Sequence, residues 1–410
     1  MSAAVSPRPT VDSVPSAADA TAVAERLATA FAEQACARDA GRTLPHDQVQ
    51  ALKSSGLLAL SVPAAHGGME APAAIVAEVF RLLAHGDPSL AQIPHSHYTF
   101  LEALRLQGTH AQQGYFYGLV RDGALFANAQ TERGPHPVNI DATTLTVSSA
   151  GGYVLTGRKF YCTGALFADW LIVRASLADG SGDVTTADTP KAIAFVPCDA
   201  PGLQIVDDWD GMGQRTTASG TVTLENVPVP TNHVVPFSAI FDGPTVYGAH
   251  AQLLHAAIDV GIATGALAEG VRQAARARPH FEAQVDSAVH DPTLIALAGD
   301  LTVTVRGAQA LLGEAARRLD AARAVPTEDS AAETSVAVAV AKVAAVRAAL
   351  EASSVLFELG GTRSATAGDN LSRHWRDART HTLHDATRWK LQHIGRHTLS
   401  GTRPPRHGQV

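Results

Sequence analysis

The residues of this chain best equipped for chemistry lie in one stretch, Arg376-Asp377-Ala378-Arg379-Thr380-His381-Thr382-Leu383-His384-Asp385. Two imidazoles stand three residues apart, with a carboxylate directly after the second. On a helix that spacing puts His381 and His384 on one face. Imidazole gives or takes a proton near neutral pH, so two rings facing a cavity suit acid–base work. Alone, the stretch reads better as a polar helix junction whose His and Arg groups hydrogen-bond locally. The rest of the chain decides between the two.

The elements that must position these residues change character twice. From 18 to 42, Ala22, Val23, Leu27, Phe31 and Ala35 keep helical spacing. A short helix carries Val49 and Leu52 to Gly56, and a third runs over 73–83. Asp87 then caps a fourth, with Pro88 in its first turn; this one carries His95, Ser96, His97 and Tyr98. From Leu125 the period shortens. Runs at 144–147 and 153–156 flank Gly151-Gly152, a hairpin signal, and further strands are predicted at 170–173, 192–196, 203–206 and 220–224. After Pro244 long helical patterns return over 249–278, 292–324 and 328–359. Gly360-Gly361 closes the last of these, and shorter helices follow over 371–379 and 389–399. This order implies a mainly α chain with a central β-domain. An N-terminal helical domain spans 19–124, an antiparallel β-barrel or sandwich 125–237, and a C-terminal four-helix bundle 238–400. Residues 1–18 read as a disordered tail and 401–410 as a second tail.

Composition narrows the function. The chain has 410 residues, 46% of them hydrophobic and 17% charged, with a net charge of -7. That length buries a large core. The negative balance and the lack of a basic run argue against nucleic acid. Cys36, Cys162 and Cys198 share no metal-ligand spacing, so no metal is expected. An odd count suggests reduced thiols in the cytoplasm. No stretch reads as a membrane span.

With these elements in order, several motifs resemble those of the acyl-CoA dehydrogenase superfamily of flavoproteins, over nearly the whole chain. Ala127-Asn128-Ala129-Gln130-Thr131-Glu132 stands where that family has a flavin-contacting segment. Gly157-Arg158-Lys159-Phe160-Tyr161-Cys162-Thr163-Gly164-Ala165 matches its second flavin segment. Gly211 to Pro230 matches the last strand of its β-domain. Arg278-Pro279-His280-Phe281 resembles an Arg-x-x-Phe element that meets the flavin phosphates of a neighbouring subunit. The resemblance implies cofactor contacts from Thr131, Glu132, Cys162, Thr163, Arg278, Gly360 and Gly361, and a homotetramer.

The chain departs from the dehydrogenases at the catalytic place. Their pattern Arg-Asp-Ala-x-x-Tyr-x-Ile-Tyr-Glu-Gly-Thr is here Arg376 to Thr387, with His384 for the second Tyr and Asp385 for the Glu. Glu269 and Glu282 are the remaining carboxylates to weigh as a base. His at this place is similar to the flavin-dependent monooxygenases on the same fold, the dibenzothiophene monooxygenase type and the sulfur-acquisition oxidoreductases. That resemblance implies reduced FMN from a separate NAD(P)H-dependent flavin reductase, O2, and oxygen transfer to a small organosulfur compound. His384 is then the acid–base residue, oriented by His381 or Asp385. His97 comes ahead of His95 from the N-terminal domain, and Asn128 and Thr163 bond the flavin or its oxygen adduct. The alternative is an acyl-CoA dehydrogenase with bound FAD.

Overall fold

The computed structural model describes residues 11, 12, 14, 16–178 and 185–410. Most of the expected tail over 1–18, and part of the loop over 180–190, lie outside the described residues.

The N-terminal helices are α1 (Ala17–Glu33), α2 (Ala35–Gly41), α3 (His46–Ser54), α4 (Ala73–Gly86), α5 (Pro88–Gln92), α6 (His95–Gln107) and α7 (His110–Arg121). Their starts follow local chemistry. The Ser16 hydroxyl accepts from Asp19 N–H, and the Asp87 carboxylate accepts from Ser89 N–H with Pro88 at the first turn. Thr109 and Gln112 form a reciprocal capping box on α7. The expected fourth helix breaks at Ile93–Pro94, so the histidines belong to α6 rather than α5.

The strands are β1 (Phe126–Ala129), β2 (Thr144–Val147), β3 (Tyr153–Lys159), β4 (Trp170–Ala178), β5 (Lys191–Pro197), β6 (Leu203–Val206), β7 (Thr221–Val229) and β8 (Val234–Pro236). They form one sheet in the order β6-β7-β3-β2-β4-β5-β8, with β1 beside β4. The expected hairpin is β2–β3. The sheet is not wholly antiparallel, because β1 and β2 both run parallel to β4, pairing with Trp170–Val173 and with residues 176–178. Long connections allow this, as parallel neighbours need a crossover of a dozen residues or more.

The C-terminal helices are α8 (Tyr247–Ala274), α9 (Pro292–Arg323), α10 (Glu328–Gly360), α11 (Ser372–His381) and α12 (Thr387–Ser400). Most of α8 is buried on every side, since it packs against α4, α9 and α10 together. Gly261 lets α4 come close: a Cβ there would sit 2.5 Å from the Arg81 carbonyl oxygen. By length and composition α8 and α9 could each cross a membrane, against the sequence expectation. In α8, 83% of the most apolar window is buried inside the molecule, and in α9 only 17%. The apolarity of α8 is therefore that of a core helix, while α9 carries an apolar outer face.

Residues 401–410 are not a free tail. Arg403 bonds Asp329 and Arg406 bonds Glu328, and Val410 is 2% exposed.

Inside the β-domain, Lys159 is fully buried and donates to Gln130 O (3.0 Å), Glu132 Oε1 (2.7 Å) and Asp141 Oδ1 (3.0 Å). Glu132 also accepts from the N–H groups of Ala142 and Thr143. Its carboxylate is thus spent on the domain's interior, a correction to its expected place at the cofactor. Breaking a buried pair leaves the partner charge without compensation, at about 3–5 kcal/mol. We therefore expect Lys159→Met to lower stability by about that amount in urea titration. A cost below about 1 kcal/mol would show that the Lys159 network does not hold the domain.

Candidate functional site

Four imidazoles converge where α6, α8 and the end of α11 meet. His381 is the last residue of α11, and His384 follows in a turn in which His384 N–H bonds His381 O at 3.0 Å. The i,i+3 relation expected from sequence therefore survives the end of the helix. His381 Nδ1 meets Asp259 Oδ1 at 2.5 Å, and His381 Nε2 meets His255 Nδ1 at 3.1 Å. The His255 ring stacks on His95 (centroids 3.7 Å) and lies 4.0 Å from His384. Asp259 Oδ2 accepts from Lys342 Nζ at 2.7 Å. Asp259, Lys342, His255 and His381 are each at most 1% exposed.

Burial raises the Asp259 pKa, but Lys342 and then His381 outweigh it, so the carboxyl is held below its ordinary value. It is a carboxylate. Burial, with His384 and His381 adding to it, pushes His95 down to about 3, and burial with His384 and His95 pushes His255 well below the imidazole range. Both rings are neutral at pH 7. His384 combines two environments: crowding by protein atoms pushes its imidazole down to about 4, yet the residue is exposed at the surface. The open side keeps part of its hydration, so its shift is weaker in effect than those of His95 and His255. It is also the ring that an incoming molecule can meet.

Asp385 does not orient His384. Its carboxylate lies 3.8 Å from Lys390 Nζ and has no hydrogen-bond partner among the described residues. It borders a separate cavity of about 580 Å³ with Trp389, Lys390, His393 and His407. His97 is likewise elsewhere: Nε2 donates to Leu58 O (2.9 Å) and Nδ1 accepts from Phe126 N–H (3.1 Å). Both nitrogens are used, and the ring ties α6 to β1. His95, two residues earlier, is the one in the cluster, with its Nε2–H on Ala251 O at 3.0 Å.

On the β-domain side, Tyr161 adopts a left-handed φ of 56° and Gly164 one of 80°. This tight loop presents Tyr161 O to Asn128 Nδ2 at 3.0 Å, bringing Asn128 and the Thr163 loop together. A Cβ on Gly164 would touch Ile93, two residues before His95, so the loop abuts the helical side of the cluster. Thr217 Oγ1 donates to the Gln214 carbonyl (3.0 Å), and hydroxyl contacts of 2.7 Å run from Thr217 to Ser219 and on to Thr163. A carbonyl only accepts, so Ser219 must donate to Thr217 and Thr163 to Ser219. Thr163 is left with lone pairs for any other partner. Thr131 anchors the same loop through its carbonyl, which accepts from Phe160 N–H at 2.8 Å. Cys162 faces inward at 0% exposure, and burial pushes its thiol up to about 12. Its side chain is part of the core, not of a cofactor contact.

Arg278 is exposed beyond the end of α8. Arg363 Nη1 bonds Arg276 O at 3.0 Å, which holds the Gly361–Ala365 turn against that segment. Gly361 has φ of 66° and open space around it, whereas a Cβ on Gly360 would sit 2.0 Å from Ser364 Oγ. Gly361 can thus border a ligand, and Gly360 is a packing glycine. Glu269 pairs with Arg272 and Gln273. It lies fourteen residues beyond His255 on α8, about 21 Å at 1.5 Å per residue. Glu282 is in an exposed loop.

Sequence reasoning missed His255, Asp259 and Lys342, and ranked His97 above His95. A signal was present: His255 and Asp259 stand four apart in an otherwise apolar helix, and Lys342 interrupts an Ala/Val run.

The segment that carries His381 and His384 is moored through Asp377, which accepts from Gln214 N–H at 2.5 Å. Burial, then Asp39 and Asp87, push its carboxyl up to about 7. The folded protein therefore holds this proton between about pH 4 and 7 while the unfolded chain does not. The stability it contributes is full below about pH 4 and is lost as pH rises through 7, at about 1.4 kcal/mol per unit. Asp377→Asn keeps the accepting oxygen without the titration. The stability of this variant relative to wild type should rise by about 2–3 kcal/mol between pH 5 and 8. A pH-independent difference in denaturant midpoints would refute the assignment.

Comparison with known proteins agrees with the fold. Family models match residues 18–123 (acyl-CoA dehydrogenase, N-terminal domain), 126–227 (middle domain) and 253–389 (C-terminal domain). The chain is similar to dibenzothiophene monooxygenase of Rhodococcus qingshengii, at 33% identity over 94% of both chains. It is 32% identical to a probable FMNH2-dependent monooxygenase, SfnC, of Pseudomonas putida, over 94% of this chain and 96% of the other. The FMN-bound crystal structure of TdsC from Paenibacillus sp. A11-2 superposes with a TM-score of 0.90 at 30% identity, over 95% of this chain and 100% of that one.

Proposed function

The chain belongs to the acyl-CoA dehydrogenase family, and from that premise we propose that it is an FMN-dependent monooxygenase acting on a small organosulfur compound. The observation that carries this reading is the cluster of His95, His255 and His384, with His384 open to an incoming molecule. A dehydrogenase removes a substrate proton with a carboxylate. Here Asp385 faces Lys390, and Glu269 is about 21 Å along the helix from the cluster. The names of the relatives support FMN and an organosulfur substrate.

The residues present fit FMN. Gln92 Oε1 and Gln252 Oε1, three residues before His95 and one after its acceptor Ala251 in sequence, are buried without partners among the described residues, as polar groups open to a polar ligand would be. Asn128 and Thr163 supply amide and hydroxyl contacts from the β-domain. Arg278, with Arg276, Arg363 and the open Gly361 at the far end of α8, offers cationic and backbone groups suited to the phosphate of a flavin in a neighbouring subunit. When bound in reduced form, FMN supplies the electrons that activate O2 for transfer to sulfur. His384 holds or moves the proton that this chemistry needs, and the buried rings behind it exclude water. On the same reading the reduced flavin comes from a separate NAD(P)H-dependent reductase, and the reaction serves sulfur acquisition.

We also read the chain as a homotetramer. Phe281 (82% exposed), Val303 (72%) and Leu399 (89%) put apolar surface on the outside of the bundle, and closed symmetric assembly covers such faces. Light scattering at micromolar concentration should give four chains; a monomer would overturn this.

Supplying reduced FMN and a candidate sulfinate or thiophene under air tests the activity. His384→Phe keeps a planar ring and removes the proton. Product should fall by about a hundred- to ten-thousandfold, with hydrogen peroxide released in its place and FMN affinity little changed. An unchanged ratio of product to peroxide would remove His384 from the mechanism.

A further inference from the structure

We propose that Asp259, His381 and His255 form a buried relay that fixes the tautomer of each ring at rest and stores one proton taken from a bound group, with Lys342 balancing the charge. The inference rests on the proton chemistry read above for His384.

The argument follows the hydrogen bonds outward from the carboxylate. Asp259 only accepts, so His381 Nδ1 must carry the proton at the 2.5 Å contact. In the proposed resting arrangement that is the only hydrogen on His381, so its Nε2 is a lone pair and His255 Nδ1 is the donor at the 3.1 Å contact. Neutral His255 then has a bare Nε2, for which no described residue supplies a donor. Lys342 at Asp259 Oδ2 makes the carboxylate and ammonium a neutral unit.

The relay can accept one proton. A bound group loses its proton to His255 Nε2; the His255 Nδ1–H bond breaks as the His381 Nε2–H bond forms. The positive charge ends on His381, against Asp259, rather than on His255. The reverse sequence returns it. No electrons move. Asp259 acts through His381 as a positioning residue, as a carboxylate does behind a catalytic imidazole elsewhere. The titratable groups facing these rings are Lys342 from α10, His95 from α6, and His384 and Asp385 from the turn after α11. None of the four offers His381 a second carboxylate within hydrogen-bond reach among the described residues.

Two measurements test this. In protein without flavin, labelled with 15N-histidine, the imidazole shifts report each tautomer. His255→Gln and His381→Gln assign the two signals by their loss. At pH 7 both rings should carry hydrogen on Nδ1; an Nε2–H tautomer at either ring overturns the relay. The second uses Asp259→Asn with Lys342→Met, which removes both charges together and leaves no buried ion alone. The folded double variant should keep its affinity for reduced FMN within about twofold, while its ratio of product to peroxide falls by about tenfold or more. A ratio equal to wild type overturns proton storage. If wild type neither consumes oxygen nor forms product with reduced FMN, the functional reading fails, while the tautomer spectrum still decides the relay.

Discussion

One buried carboxylate organises the C-terminal half of this molecule. Asp259 is 0% exposed on the most enclosed helix of the fold, where an isolated ion would cost several kcal/mol. It is tolerable only because Lys342 reaches it from α10 and His381 from α11. Three helices are thereby held in one register by a single side chain. An apolar pair of similar volume would often serve stability as well or better. What an apolar pair could not do is dictate where the hydrogen sits on His381. The ion pair is better understood as a specification of geometry and charge than as a source of stability.

That specification reaches the site through helix periodicity. His255 and Asp259 lie four apart on α8 and so share a face. His381 and His384 lie three apart across the end of α11 and its following turn. When the two faces meet, the four groups can only fall into contact in the order observed. His95 enters from α6 and closes the stack. Residues two apart on a helix do not face each other. If His95 turns towards the stack, His97 must turn away, and it is found holding Phe126 at the start of β1.

This explains what the sequence could and could not tell. The domain order was legible because the apolar period changes from helical to strand-like near Leu125 and back after Pro244. His381 and His384 were legible because their spacing is short and local. His255, Asp259 and Lys342 were not, since their partners lie 83 to 126 residues away and each appears in sequence as one polar residue in an apolar helix. Motif position alone misled at Glu132 and Cys162. Both stand in segments that by resemblance border a flavin, but a segment's place does not say which way each side chain turns, least of all in the tight loop after Tyr161. Cys162 turns into the β core while its neighbour Thr163 turns to Ser219. Asp385 misled for a related reason: the chain turns between 382 and 386, and its carboxylate leaves the side on which His384 sits.

The two hydrogen-bond chains bordering the site share a property that no single residue reveals. One ends on the Asp259 carboxylate and the other on the Gln214 carbonyl. Neither end can donate, so every hydrogen along each chain points inward, away from the place a ligand would occupy. The outward atoms that result, His255 Nε2 and Thr163 Oγ1, are acceptors. His95 adds a third, because its Nε2–H is committed to Ala251 and its Nδ1 is left bare. Three acceptors on one side favour an occupant that brings hydrogen to them. A reduced flavin, with more N–H groups than its oxidised form, answers that demand better.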